Sequence, residues 1–192
     1  LLLTALGRFD EALAELRRAR ELDPFSAIIQ ANMCRLFVYS RQYDRALEEG
    51  RKAVEIDPNF GVAHNFIAQA YAGKKMTREA IAESQTAANL LGRTPMGLMI
   101  LGRVQALSGH RSEALRTIEE MKTLSTRRYV SPAFVAMVLR HLGNKDEVLA
   151  WWEKACEDRS FDVIYLKVDP LNDDLRDDPR FADLLRKAGL RP

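Results

Sequence analysis

The chain is short of the residues from which catalytic and metal centres are usually built. Its 192 residues include only two cysteines, three histidines and two tryptophans. His64, His110 and His141 stand singly, with no HExxH or CxxC spacing, so no metal site is expected. Neither a glycine-rich phosphate loop nor a GxSxG elbow occurs. The acidic residues Asp173, Asp174, Asp177 and Asp178 lack the spacing and closing glutamate of a calcium loop, and read as helix caps or a solvated face. With no catalytic residues and no cofactor to name, the expectation is a protein that is not an enzyme.

Charge of one sign is also missing. The 29 Lys and Arg residues nearly balance the 27 Asp and Glu residues, leaving a net charge of +2, too even for a nucleic-acid or membrane-surface partner. No apolar run approaches the roughly 20 residues that span a bilayer. Leu1-Leu2-Leu3 has no basic region before it, which argues against a signal peptide. Cys34 and Cys156 lie far apart and read as buried thiols in a reducing compartment, so a cytoplasmic location is the default expectation.

What the sequence does contain is a period. Asp23-Pro24 recurs 34 residues later as Asp57-Pro58. At the same spacing run Ala12, Ala46, Ala80, Ala114 and Val148, and seven residues further on Ala19, Ala53, Ala87, Met121 and Ala155. Large apolar residues hold other columns, such as Met33, Ile67, Leu101 and Val135. Small residues where backbones approach, beside large ones that fill the gaps, are what packed antiparallel helices require. A period of this size predicts an all-α solenoid.

These columns resemble the tetratricopeptide repeat family, whose unit has small residues at positions 8, 20 and 27 and a proline at 32. With Ala27 as position 1, those places fall on Cys34, Ala46, Ala53 and Pro58. The resemblance implies a right-handed α-α superhelical solenoid of helix-turn-helix repeats over residues 1–160. The units are a partial repeat 1–26 and repeats 27–60, 61–94, 95–128 and 129–162. Later units depart from the pattern, with Gly92, Thr126 and Ser160 replacing the closing proline. Leu1 falls inside a first helix, so the chain is expected to be cut from a longer protein. Leu2, Leu3 and Leu6 would then be poorly covered, offering a route to a homodimer.

Along the chain, Thr77, Thr94, Ser112 and Ser131 are candidate helix caps, and Gly109 and Gly143 mark inter-helix turns. Gly50 stands where a large residue is usual, permitting either a close helix approach or a gap. Arg17, Arg18 and Arg20 share their helix with Glu11, Glu15 and Glu21 and read as a solvated face. The tail 161–192 leaves the pattern. Asp178-Pro179 opens a last helix, Phe181, Leu184 and Leu185 form its apolar side, and Gly189 stops it, so the tail is expected to cap the last repeat. Its core, KVDPLNDDLRDDPRFADLLRKAGL, resembles the C-terminal ends of tetratricopeptide segments in large bacterial signalling proteins. There the segment follows a winged-helix DNA-binding, nucleotide cyclase or Ser/Thr kinase domain.

The family resemblance also implies a groove lined by first helices. Carried over to this sequence, its positions give Arg35, Tyr39, Asn65, Gln69, Met99, Arg103, Met137 and Arg140 as peptide-binding candidates. Arginine grips carboxylates, asparagine bonds a peptide backbone and methionine adapts to apolar side chains, so the expected ligand is a protein or peptide segment with acidic and apolar residues. Ala31 stands where a chaperone-tail receptor of this family needs a clamp lysine, which disfavours that class. Charge is also segregated: eight Lys or Arg against three Glu between Arg93 and Arg140, then six Asp against Arg176 and Arg180 between Asp169 and Asp183. The two stretches can meet within one chain or between chains. The leading expectation is a non-catalytic interaction scaffold. The alternative is a regulatory or oligomerising arm of a bacterial transcription regulator, nucleotide cyclase or kinase.

Overall fold

The structure is a computed structural model that describes residues 1–190; Arg191 and Pro192 of the expected tail lie outside the described residues. Eleven α-helices are present among the described residues: α1 (Leu2–Ala5), α2 (Phe9–Leu22), α3 (Ala27–Tyr39), α4 (Tyr43–Ile56), α5 (Gly61–Gly73), α6 (Thr77–Leu91), α7 (Pro95–Leu107), α8 (Arg111–Ser125), α9 (Pro132–Leu139), α10 (Lys145–Glu157) and α11 (Pro179–Lys187). They fall into two compact units, Leu1–Leu91 and Gly92–Pro192. In the first, α3 packs on α2, α4 and α5, and α5 on α4 and α6. In the second, α7 packs on α8 and α9, α9 on α10, and α10 on α11.

The two helices of a pair differ because their burial differs. In α3 eight of 13 residues are buried, including Met33, Leu36 and Phe37, so the helix is apolar nearly all round. Its partner α4 buries only five of 14 and turns Arg51 and Glu55 to solvent. The alanine columns lie at the contacts: Ala46, Ala53, Ala87, Ala114 and Ala155 are all fully buried. Gly50 is a close approach rather than a gap. A Cβ there would lie 2.5 Å from Ile67 Cγ1 and 3.2 Å from Cys34 Sγ.

The turns repeat more strictly than the helices. Gly7, Arg41, Lys75, Gly109 and Gly143, each one period after the last, all have positive φ, from 59° to 82°. In four of these turns the next residue's N–H reaches back to the carbonyl five residues before it: Arg8 to Leu3, Gln42 to Phe37, Met76 to Tyr71 and His110 to Gln105, at 2.8–2.9 Å. A left-handed residue followed by such a bond is the Schellman stop, which satisfies carbonyls left open at a helix end.

Caps are less regular. Thr94 Oγ1 accepts from Gly97 N at 3.1 Å, and Asp178 Oδ1 from Arg180 N at 3.0 Å. Ser131 precedes α9 without a capping bond. Ser112 and Thr77 lie inside their helices, because α8 begins at Arg111 and α6 at Thr77 itself. Asn144, not singled out by sequence, caps α10 through Glu147 N at 3.2 Å.

The tail keeps the period in places where the sequence reading saw it end. Ion pairs join Asp146 to Arg180 and Glu153 to Lys187, each 34 residues apart, and Ala182 follows Val148 at the same distance. The helix α11 therefore stands one period after α10. No α-helix stands one period after α9. Asp169-Pro170 interrupts the segment, and two 3-10 turns, Phe161–Tyr165 and Pro170–Leu175, take that place. They bury Val163, Tyr165 and Leu175, with Leu166 buried between them, while α11 buries Phe181, Leu184 and Leu185.

Candidate functional site

The eight groove candidates divide four and four between the units. In the first unit they lie on α3 and α5, which pack directly together. Arg35 is half-buried, with Nη2 donating to Asn32 Oδ1 at 2.8 Å and its guanidinium 5.4 Å from the centre of the Phe66 ring. Such stacking holds a guanidinium in place over the ring. Beside Phe66 in the chain, Asn65 is only 3% exposed, and its Oδ1 has no hydrogen-bond partner. A buried amide oxygen without a donor costs about 1–3 kcal/mol, so a side-chain turn that brought it to a donor would be favourable. Tyr39 is buried and Gln69 half-buried. The arrangement holds a cation and a buried acceptor side by side, the pair of groups that an extended peptide carrying a carboxylate would use. It offers no nucleophile paired with a base.

In the second unit the same residue types lie against acidic residues of the tail. Met99 and Arg103 are buried, Met137 and Arg140 half-buried. Arg140 forms an ion pair with Asp174, and Lys145 Nζ donates to the Asp174 carbonyl oxygen at 3.0 Å. Buried Asp169 accepts from Leu171 N at 2.9 Å. Its burial raises the carboxyl pKa, against the opposing pull of Arg103 and Arg140. His141, whose Nε2 is buried without a hydrogen bond, is pushed down to about 3, by burial first and then by the same two arginines. Part of the basic stretch thus meets the acidic tail within one chain. Sequence reasoning placed the sign reversal and counted Asp169 in it, but did not single out its burial beside the two arginines.

His64 is bonded within its unit and His110 is exposed. His64 bridges Glu83 at 2.7 Å and the Pro58 carbonyl at 3.2 Å. Both cysteines are free, and burial raises the pKa of each. No helix of the described residues is long and apolar enough to cross a membrane.

Comparison with known proteins agrees with this architecture. A family model described as tetratricopeptide repeat matches residues 1–18. A thermophilic tetratricopeptide protein of Thermus thermophilus is 25% identical over 96% of this chain and 94% of its own, with a TM-score of 0.62. The fold is a tetratricopeptide-type helical repeat. A second tetratricopeptide structure, YrrB, described as having an unusual peptide-binding site, is 21% identical over 90% of each chain, with a TM-score of 0.50. A chain of the APC/C hetero-tetramer Cut9-Hcn1 gives a TM-score of 0.61 at 15% identity, over 97% of this chain but 37% of that one. No curated protein sequence matches the chain. Tetratricopeptide proteins generally mediate protein-protein interactions, and the fold is typically non-catalytic.

Proposed function

We propose that the chain is a non-catalytic interaction scaffold that binds an extended protein segment with acidic and apolar residues across α3 and α5. The observation that carries this reading is the unpartnered amide oxygen of Asn65, buried beside the ring on which Arg35 stacks. A peptide N–H supplies the missing donor, and a neighbouring carboxylate pairs with Arg35. The acidic preference draws support from the second unit. Arg103 holds the repeat position of Arg35 two periods on, and there the field of a carboxylate, Asp169, reaches it. An array of octapeptides varied in acidic and apolar content, read by fluorescence anisotropy, tests the proposal. Selective binding of acidic-apolar members should fall at least about tenfold in Arg35→Glu and Asn65→Ala, and unchanged affinity in both sinks the assigned face.

A second reading rests on exposed apolar side chains. Leu1, Leu2, Leu6, Leu22, Phe25 and Ile28 of the first unit all face solvent. They favour an oligomerising or regulatory arm of a larger protein, of the bacterial signalling type that the tail resembles, working in the cytoplasm. Sedimentation velocity separates the two: a dimer dispersed by Leu2→Glu and Leu6→Glu supports the arm, and a concentration-independent monomer counts against it.

A further inference from the structure

A cleft of about 470 Å³ opens in the second unit between α8, the start of α9 and α10, on different helices from the α3 and α5 face. Met121, Val130 and Val135 form its buried apolar lining. Trp151 and Tyr129 add aromatic walls, and the Tyr129 hydroxyl is anchored to Ser160 Oγ at 2.8 Å although the residue is 62% exposed. The volume is in the range of small-molecule sites, roughly 300–1,000 Å³, and is ample for a large side chain.

The charges at its mouth are uneven. Lys154 Nζ lies 4.8 Å and Lys122 Nζ 5.7 Å from the centre of the Trp151 ring, so two ammonium groups lie against one aromatic ring. Glu119 pairs with Lys122 at 2.6 Å, and Glu120 is taken by Arg93 at 3.1 Å. Asp158 is the one acidic residue of the lining. Like charges gathered on one ring repel, and an arriving anion relieves that repulsion. An apolar group filling the cleft strengthens the attraction by removing water.

We propose that this cleft is a second docking site, taking a large apolar side chain of a partner protein with carboxylates on either side of it. The apolar lining receives the side chain, Trp151 and Tyr129 flank it, and Lys122 and Lys154 receive the carboxylates. The choice of an acidic protein segment follows from the two cations and from the basic surplus between Arg93 and Arg140.

Calorimetric titration with acetylated, amidated hexapeptides centred on Asp-Phe-Glu, Asp-Ala-Glu and Lys-Phe-Lys tests it. Only the first should bind to the wild-type chain, with at least tenfold preference. With Arg35→Glu and Asn65→Ala also present, so that the α3 and α5 face is silent, Lys122→Glu with Lys154→Glu should lose that binding and gain the Lys-Phe-Lys peptide, a reversal that misfolding does not produce. The pair Arg35→Glu and Asn65→Ala should leave binding at the cleft intact, so this site and the α3 and α5 face stand or fall separately. No binding of Asp-Phe-Glu at millimolar concentration, or equal binding of all three peptides, overturns the proposal. So does N-acetylphenylalanine binding as tightly as the hexapeptide, since that assigns the cleft to a small aromatic acid.

Discussion

Arg140 and Asp174 are paired one repeat length apart, joining the end of α9 to the second 3-10 turn of the tail. The guanidinium is largely buried, with 14% of the side chain exposed, whereas 54% of the aspartate side chain is open to water. Arg140 also opposes the charge of buried Asp169.

The two partners should therefore respond unequally to removal. Arg140→Ala leaves Asp169 with one counter-ion fewer and should destabilise the second unit by about 2–4 kcal/mol, below the roughly 3–5 kcal/mol for a fully buried pair because Asp174 is half open to water. Asp174→Ala removes only an exposed partner and should cost about 1 kcal/mol or less. Urea unfolding of the two variants checks the order, and equal losses would show that Asp169 does not depend on Arg140.

His141 gives that region a pH dependence. Its folded pKa is depressed to about 3 from the ordinary 6.5, by burial and then by Arg103 and Arg140. Below pH 6.5 the unfolded chain takes up a proton that the folded chain refuses until about pH 3, so stability is present above 6.5 and lost as pH falls. Asp169, raised by burial, acts in the opposite sense, since the folded state keeps its proton at pH values where the unfolded chain has lost it. Subtracting the unfolding curves of His141→Gln from wild type isolates the histidine. The difference should approach about 1.4 kcal/mol per pH unit below pH 6, and a flat difference removes the assignment.

Gly50 should resist even the smallest side chain. Alanine improves helix propensity by about 1 kcal/mol but overpacks Ile67 and Cys34, a cost of about 1–3 kcal/mol. Gly50→Ala should thus be net destabilising. The double variant with Ile67→Ala should lose less than the sum of the singles, by at least about 0.5 kcal/mol in a double-mutant cycle.

The left-handed turn column predicts opposite signs for opposite substitutions. Arg41 and Lys75 hold φ of 59° and 62°, a region in which a side chain costs about 1–2 kcal/mol. Arg41→Gly and Lys75→Gly should stabilise by about 0.5–1 kcal/mol, the extra freedom of the unfolded glycine offsetting part of the relief. Gly109→Ala and Gly143→Ala, at φ of 80° and 82°, should destabilise by about 1 kcal/mol. Thermal melting of the four variants provides the comparison.

The fold could be read from sequence because its signals recur: a small residue at one helix contact is weak evidence, but Ala12, Ala46, Ala80 and Ala114 in register are strong. The tail was harder. Its register survives in single contacts such as Asp146 with Arg180, which need coordinates to see, while Asp169-Pro170 removes the helix that would have announced another unit. Arg103 and Arg140 were chosen by repeat position, which fixes the face of a helix but not what lies against it. The acids near them are distant in sequence, and charge sign alone did not pair them. The Trp151 cleft went unseen because its aromatic and basic walls come from α8, α10 and the turn before α9, with only Pro132 and Val135 supplied by a first helix.

Trp151 and Trp152 are the only tryptophans, and α10 gives them different surroundings. Trp152 is 3% exposed in the core of its unit, whereas Trp151 borders an open cleft beneath two ammonium groups. The protein thus carries two intrinsic fluorophores with separate duties. Iodide, drawn to the lysines, should quench Trp151 and spare Trp152, while caesium should quench neither well. Emission can therefore follow what enters the cleft and the integrity of the core in one unlabelled sample.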